Sequence, residues 1–235
     1  MHRLLLLSLT AAMIPAIASA VTFTDDFEGG ANDAGWAFIE GGDIIEAAGG
    51  NPGAWLHQPV YDTFGPSVMS AWGNVTPFVG DYRAMGVTSI EFDLQILHTD
   101  FPIGGDAFSA TLLLRNTHGT PNDFDDDDYA YFVAAQLPPV GSGWQHYQIT
   151  VPSQSNDPVP AGWKGGWSGD CETFRPGVSW SDVVTNVDRV EVLFLDPCFF
   201  AIFQQWNVGA DNMSITYGPT SVEAKSWGSI KDLYR

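Results

Sequence analysis

Ile90-Glu91-Phe92-Asp93-Leu94-Gln95-Ile96 decides the fold. Apolar residues at 90, 92, 94 and 96 alternate with Glu91, Asp93 and Gln95, and a period of two puts every apolar side chain on one face of a strand. Trp144 to Val151 repeats the pattern, with Tyr147, Ile149 and Val151 opposed to His146, Gln148 and Thr150. Ala110 to Leu114 is apolar almost throughout and suits a strand covered on both faces. Tyr129 to Ala134, Arg189 to Leu195 and Asn212 to Tyr217 read as further strands. Turn chemistry separates them, as in Gly49-Gly50-Asn51-Pro52-Gly53, Gly104-Gly105 and Pro138-Pro139. About ten strands without strand–helix alternation predict an all-β fold, two antiparallel sheets packed as a jelly-roll-like β-sandwich. Helical spacing is confined to a short helix near 181–186, capped by Ser179 or Ser181, and to Ser226–Arg235 at the C-terminus.

Composition agrees. The 235 residues are 13% aromatic and only 16% charged, against a usual charged share of about 25%. Few charges, many aromatics and frequent Gly and Pro turns describe an all-β domain better than a helical one. A net charge of −19 repels phosphates and so argues against nucleic acid and anionic lipid as partners. Residues 1–20 have the pattern of a secretory signal peptide: a basic start at Arg3, an apolar run from Leu4 to Ile17, then Ala18-Ser19-Ala20. Cleavage after Ala20 would leave one domain over 21–217 and a linker with a short amphipathic tail over 218–235, exported to the extracellular space, periplasm or cell surface as a monomer. No other stretch reaches the ~18 apolar residues of a transmembrane helix.

Four stretches in order resemble the laminin B domain, also called laminin domain IV. They are Ala71-Trp72-Gly73-Asn74-Val75-Thr76-Pro77-Phe78-Val79-Gly80-Asp81 with the Tyr82 to Gly86 turn and the Ile90 strand; Gly143-Trp144-Gln145-His146-Tyr147 to Pro152; Trp180 to Val192; and Gly209-Ala210-Asp211-Asn212-Met213-Ser214-Ile215. The likeness spans roughly Val68 to Tyr217. It lacks the flanking cysteine-rich repeats of laminins, and Pro197 to Val208 is longer and more aromatic than the family's equivalent. The opening Asp26-Phe27-Glu28-Gly29-Gly30 with Gly35-Trp36 instead resembles the first strand of carbohydrate-binding, galactose-binding-like jelly rolls. Both resemblances imply a sandwich and neither implies catalysis.

Three candidate sites follow. Calcium takes six to eight oxygen ligands, and a jelly roll brings its first and last strands together, so Asp25, Asp26 and Glu28 would meet Asp211 and Asn212; one structural Ca2+ held by Asp26, Glu28 and Asp211 is the expectation, and edge-strand charge that keeps the sheet soluble is the alternative. The resemblance to carbohydrate-binding sandwiches implies the same ion. Trp163, Trp167 and Trp180 lie in a Gly-rich, loop-like segment with Asp170 and Glu172 between them. Indoles stack on the C–H faces of sugars while carboxylates take hydroxyls, and loops over a rigid sandwich carry binding groups. Trp36, Trp55, Trp72 and Trp144 read as core residues. Cys171 and Cys198 are either one bridge or two buried thiols. The run Asp123-Phe124-Asp125-Asp126-Asp127-Asp128 lacks the Gly and the distant Glu of a calcium loop and reads as a solvated loop.

Enzyme signatures are missing: there is no Gly-x-Ser-x-Gly, no His-Glu-x-x-His and no phosphate loop. The expectation is an exported, non-catalytic module binding glycan or a matrix component. A structural or adhesive envelope protein with no small ligand is the alternative, and a glycoside hydrolase ranks below both.

Overall fold

The computed structural model describes residues 19–70, 76–100, 108–120, 124–199 and 203–218. The apolar run to Ile17, the tail from Pro219, Trp72 and the Gly104-Gly105 turn lie outside the described residues.

Among the described residues, twelve strands and two short α-helices follow in chain order, with a 3-10 turn at Glu28–Gly30. They are β1 Val21–Asp25, β2 Ala37–Phe38, β3 Ile44–Gly50, β4 Gly53–Thr63, β5 Ser67–Met69, α1 Tyr82–Met85, β6 Val87–Thr99, β7 Ser109–Asn116, β8 Asp128–Gln136, β9 Gln145–Thr150, β10 Trp163–Trp167, α2 Trp180–Val184, β11 Arg189–Leu193 and β12 Gln204–Tyr217. Two sheets result, both antiparallel. The first runs β3-β4-β12-β6-β9, with β1 pairing the far half of β12; the second runs β10-β8-β7-β11-β5-β2.

The alternation in β6 sets the layering. Ile90, Phe92, Leu94 and Ile96 are all buried between the sheets. They meet Leu112 and Leu114 of β7, Val190 and Val192 of β11, and the indoles of Trp36, Trp180 and Trp206. Burial contributes roughly 1.5–3 kcal/mol for each fully covered aliphatic or Phe side chain. Register is fixed across the sheet by pairs such as Phe92 with Tyr147, whose rings stack at 5.5 Å. Leu113, the odd residue in the β7 run, is buried on the other side of the second sheet with Tyr129 and Tyr131, so β7 is covered on both faces.

The helix near 181–186 is α2, and its cap is Ser179, whose N–H donates to Asp182 Oδ2 at 2.8 Å. Helix α1 occupies the Tyr82 to Gly86 turn, with Asp81 Oδ1 accepting from the amides of Arg83 and Ala84. No helix among the described residues is long and apolar enough to cross a membrane.

Candidate functional site

The two sheets end side by side at β9 and β10, and the sandwich opens there. The loop joining those strands, Val151 to Gly162, is held from both helices. Arg83 of α1 donates through Nε to Ser153 O at 3.0 Å and through Nη2 to Ser155 O. Trp180 of α2 donates its backbone N–H to Pro158 O at 3.0 Å and its indole N–H to Pro152 O at 3.3 Å. Between loop and sheets lies a groove of about 390 Å³, within the size range of small-ligand sites. Its apolar wall is Trp163, Phe132, Pro160 and Ala161, and its polar rim is Gln148, Thr150, Ser155 and Asp157. Trp163 is 5% exposed and wedged between Phe132 and Trp180, with ring centroids at 5.6 and 4.8 Å. A Cβ on Gly162 would come within 2.7 Å of the Phe132 ring, so only glycine lets the loop close on that wall.

The five residues of the predicted tryptophan site fall into two groups, Trp163 with Trp180 and Trp167 with Asp170 and Glu172. Trp180 is fully buried in the core and Trp163 presents only an edge to the groove. The segment read as loop contains strand β10, whose glycines are packing sites: a Cβ on Gly165 would meet the Phe174 ring at 2.4 Å and one on Gly166 the Tyr129 ring at 2.3 Å. Trp167, half-buried, lies under the Arg175 guanidinium at 5.3 Å. Asp170 and Glu172 are exposed beside it. Asp170 accepts from Glu172 N at 2.8 Å and from Thr173 Oγ1 at 2.7 Å, and these hydrogen bonds hold its carboxyl below the usual range. No platform of three tryptophans forms.

Cys171 and Cys198 are bridged, with Cα atoms 5.4 Å apart. Cys198 packs on the Leu113–Tyr129–Tyr131 cluster, and its Sγ lies 3.4 Å from the Tyr131 hydroxyl. The bridge ties the loop after β10 to the loop after β11 over the outer face of the second sheet.

The acidic run departs from expectation. Asp123 lies outside the described residues, Asp125 is exposed, and Asp127 and Asp128 are each 1% exposed. Arginines draw them in. Arg115 spans Glu191 at 2.6 Å and Asp127 at 3.3 Å, while Asp128 meets Arg175 at 3.1 Å and His118 at 2.8 Å. Burial pushes the Asp127 carboxyl up to about 6 against the pull of Arg115 and Arg189. Arg175 and Arg189 stand far away in sequence, and the run by itself offers no sign of any of these cations.

The first and last strands do meet, β1 pairing β12 from Val21 with Tyr217 to Asp25 with Met213. Glu28 and Asp211 converge on the turn between β3 and β4. Glu28 Oε1 accepts from Ala54 N at 3.0 Å, and Asp211 accepts from Asn51 N at 2.6 Å and Asn212 N at 2.7 Å. Asp26 accepts from Glu28 N at 3.1 Å. Burial pushes Asp211 up to about 6, with Asp93 and Asp26 adding to the rise against the two amides. Among the described residues no three His, Cys, Asp or Glu side chains gather as a metal site.

Sequence reasoning missed the outer face of the first sheet. Trp36 is a core residue, but Trp55 and Trp144 lie outside the sandwich, packed on each other at 5.5 Å across β12. The strand is bare beneath them: a Cβ on Gly209 would stand 2.4 Å from the Trp55 ring and 3.0 Å from that of Trp144. Their indole N–H groups donate to Ala48 O at 3.1 Å and Gly49 O at 3.0 Å. His57 stacks on Trp55 at 4.5 Å and bridges Glu46 and Asn207. The signal was Gly209, a glycine inside a strand whose neighbours are apolar.

A wider recess of about 600 Å³, bordered by Asp81, Asn116, His118 and Asp188, has no Trp, Tyr or Phe in its wall, whereas the β9–β10 groove has Trp163 and Phe132.

No family model and no curated protein matches this chain. Solved structures similar to it include CtCBM11, at 16% identity over 88% of this chain and 98% of that one, with a TM-score of 0.44. The CBM22-1–GH10 modules of a Clostridium thermocellum endo-1,4-beta-D-xylanase, complexed with xylohexaose, are 11% identical over 83% of this chain, with a TM-score of 0.43. The chain spans only 28% of that protein's length. The L4b domain of human laminin alpha-2 is 10% identical over 92% of this chain and 100% of that one, with a TM-score of 0.35.

Proposed function

We propose that the protein is an exported, non-catalytic module that binds a neutral glycan in the β9–β10 groove. One observation carries this: an aromatic wall and a rim of amide, hydroxyl and carboxylate groups face the same cleft of about 390 Å³. Apolar wall and hydrogen-bonding rim match the two surfaces of a sugar ring, its C–H face and its hydroxyls. The charge of −19 favours neutral over acidic polymers. Trp163 reports on occupancy, so intrinsic fluorescence reads binding directly. Ala161→Trp, which fills the groove from an exposed lining position, is expected to abolish the response to soluble neutral polysaccharides without lowering Tm. Undiminished binding by that variant would refute the groove.

The same proposal includes one calcium ion at the turn between β3 and β4, held by Glu28 and Asp211. A cation there would offset the burial of Asp211. Its test is melting in calcium and in EDTA: a Tm raised by calcium and lost in Asp211→Ala supports it, and identical melting removes it.

A structural module without a small ligand is the second reading. The full burial of Trp180 and near-burial of Trp163 favour it, and silence across a polysaccharide panel would select it.

A further inference from the structure

We infer that the groove is one end of a longer track, so that the ligand is a polysaccharide chain and not a short sugar. The inference rests on the glycan reading above. Strand β9 is the edge of the first sheet, and its outward residues His146, Gln148 and Thr150 are all exposed. Gln148 and Thr150 line the groove. Four residues before Gln148, roughly 13 Å along a strand, stands the half-buried Trp144.

The surface between them is built from hydrogen-bonding side chains in fixed positions. Gln148 Nε2 donates to Glu91 Oε1 at 2.7 Å. His146 Nδ1 lies 2.7 Å from Asp93 Oδ1, and its Nε2 lies 3.5 Å from Glu91 Oε2. Asp93 is held in turn by the amides of Asn51 at 3.0 Å and Asn212 at 2.8 Å. Gln95 opposes Gly209 on β12, at the foot of the two indoles. It is 6% exposed, and its amide makes no hydrogen bond to the described residues and reaches solvent. That amide keeps a narrow opening to solvent through which it can donate and accept, and it sits beside a half-covered indole whose own N–H is already taken by Gly49.

Trp144 supplies a stacking surface, Gln95 a free donor and acceptor, and Gln148 joins them to the groove. Those are the requirements of successive sugar rings along one chain. Glu46, Glu91 and Asp93 border the track, and with the overall charge they exclude uronic-acid polymers in favour of neutral ones.

The test uses the full chain with a neutral β-1,4-linked hexasaccharide of glucose or xylose, the matching disaccharide, and polygalacturonate as the acidic control. Titration calorimetry is expected to show the hexasaccharide binding at least tenfold more tightly than the disaccharide. Gln95→Ala and Trp144→Ala should remove that advantage and leave disaccharide binding unchanged; Gln95→Ala keeps the test open where Trp144→Ala lowers Tm. Equal affinity for both lengths, or a hexasaccharide advantage untouched by either variant, overturns the track and leaves the groove standing. Binding abolished by Trp144→Ala but retained by Ala161→Trp overturns the groove and, with it, the track. Preference for polygalacturonate overturns both.

Discussion

Gly209 and Asp127 show how much rests on single positions. Gly209 lies under two indoles, so Gly209→Ala forces a methyl into ring atoms 2.4 Å away. Overpacking of this kind costs about 1–3 kcal/mol, and urea unfolding should show a loss of that size with altered Trp emission. Asp127 faces Arg115, Arg189, Asp188 and Asp126, and its carboxyl is raised from 3.8 to about 6 by burial. The folded chain therefore keeps this proton where the unfolded chain has lost it. Stability from this group is full below about pH 4 and falls away as pH rises through 6. Tm measured from pH 4 to 8 should decline more steeply in the wild type than in Asp127→Asn; identical slopes would contradict the assignment. At this scale the sequence was only partly legible. Four Asp in a row do not disclose an arginine more than sixty residues on, and nothing in Trp36 or Trp55 taken singly says which one faces the core.

Elements were clearer where alternation was unbroken. Strand β6 is evident from Ile90 to Ile96 because its polar and apolar faces differ at every step. Strand β10 was hidden, since Trp163-Lys164-Gly165-Gly166-Trp167 has the look of a loop; its glycines answer to Phe174 and Tyr129, residues that local pattern does not connect to them. The first half of β12 was missed for a like reason, its turn signals being weak and its register interrupted by a bulge between Trp206 and Val208. The Cys171–Cys198 bridge closes a 27-residue separation. Removing it with Cys171→Ser/Cys198→Ser should cost about 2–4 kcal/mol and release the two loops from Tyr131. Faster proteolysis between 168 and 175 in the double variant is the expected sign, and unchanged cleavage would show that packing alone holds the loops.

For the whole molecule, two sheets around one core part where the edge strands β9 and β10 lie side by side, and both short helices hold the loop beside that gap. A cleft held from two helices binds with little ordering cost, which suits the glycan-binding module proposed above. The sandwich was readable from periodicity, but the groove was not: it arises from the gap between edges of different sheets, and no local stretch of sequence describes a gap. The calcium proposal belongs here as well, because an ion at the turn between β3 and β4 would join β1 and β12, the two ends of the domain. Calcium should raise the melting temperature of the whole sandwich in one transition, with EDTA reversing the rise.

The most direct measurement is a fluorescence titration of the wild type and Ala161→Trp with one soluble neutral polysaccharide, corrected for the added indole. A saturable change in the wild type that disappears in the variant, with both proteins melting at the same temperature, is the predicted result. Equal responses in the two proteins, or none in the wild type across neutral polymers, would contradict a glycan site in the groove.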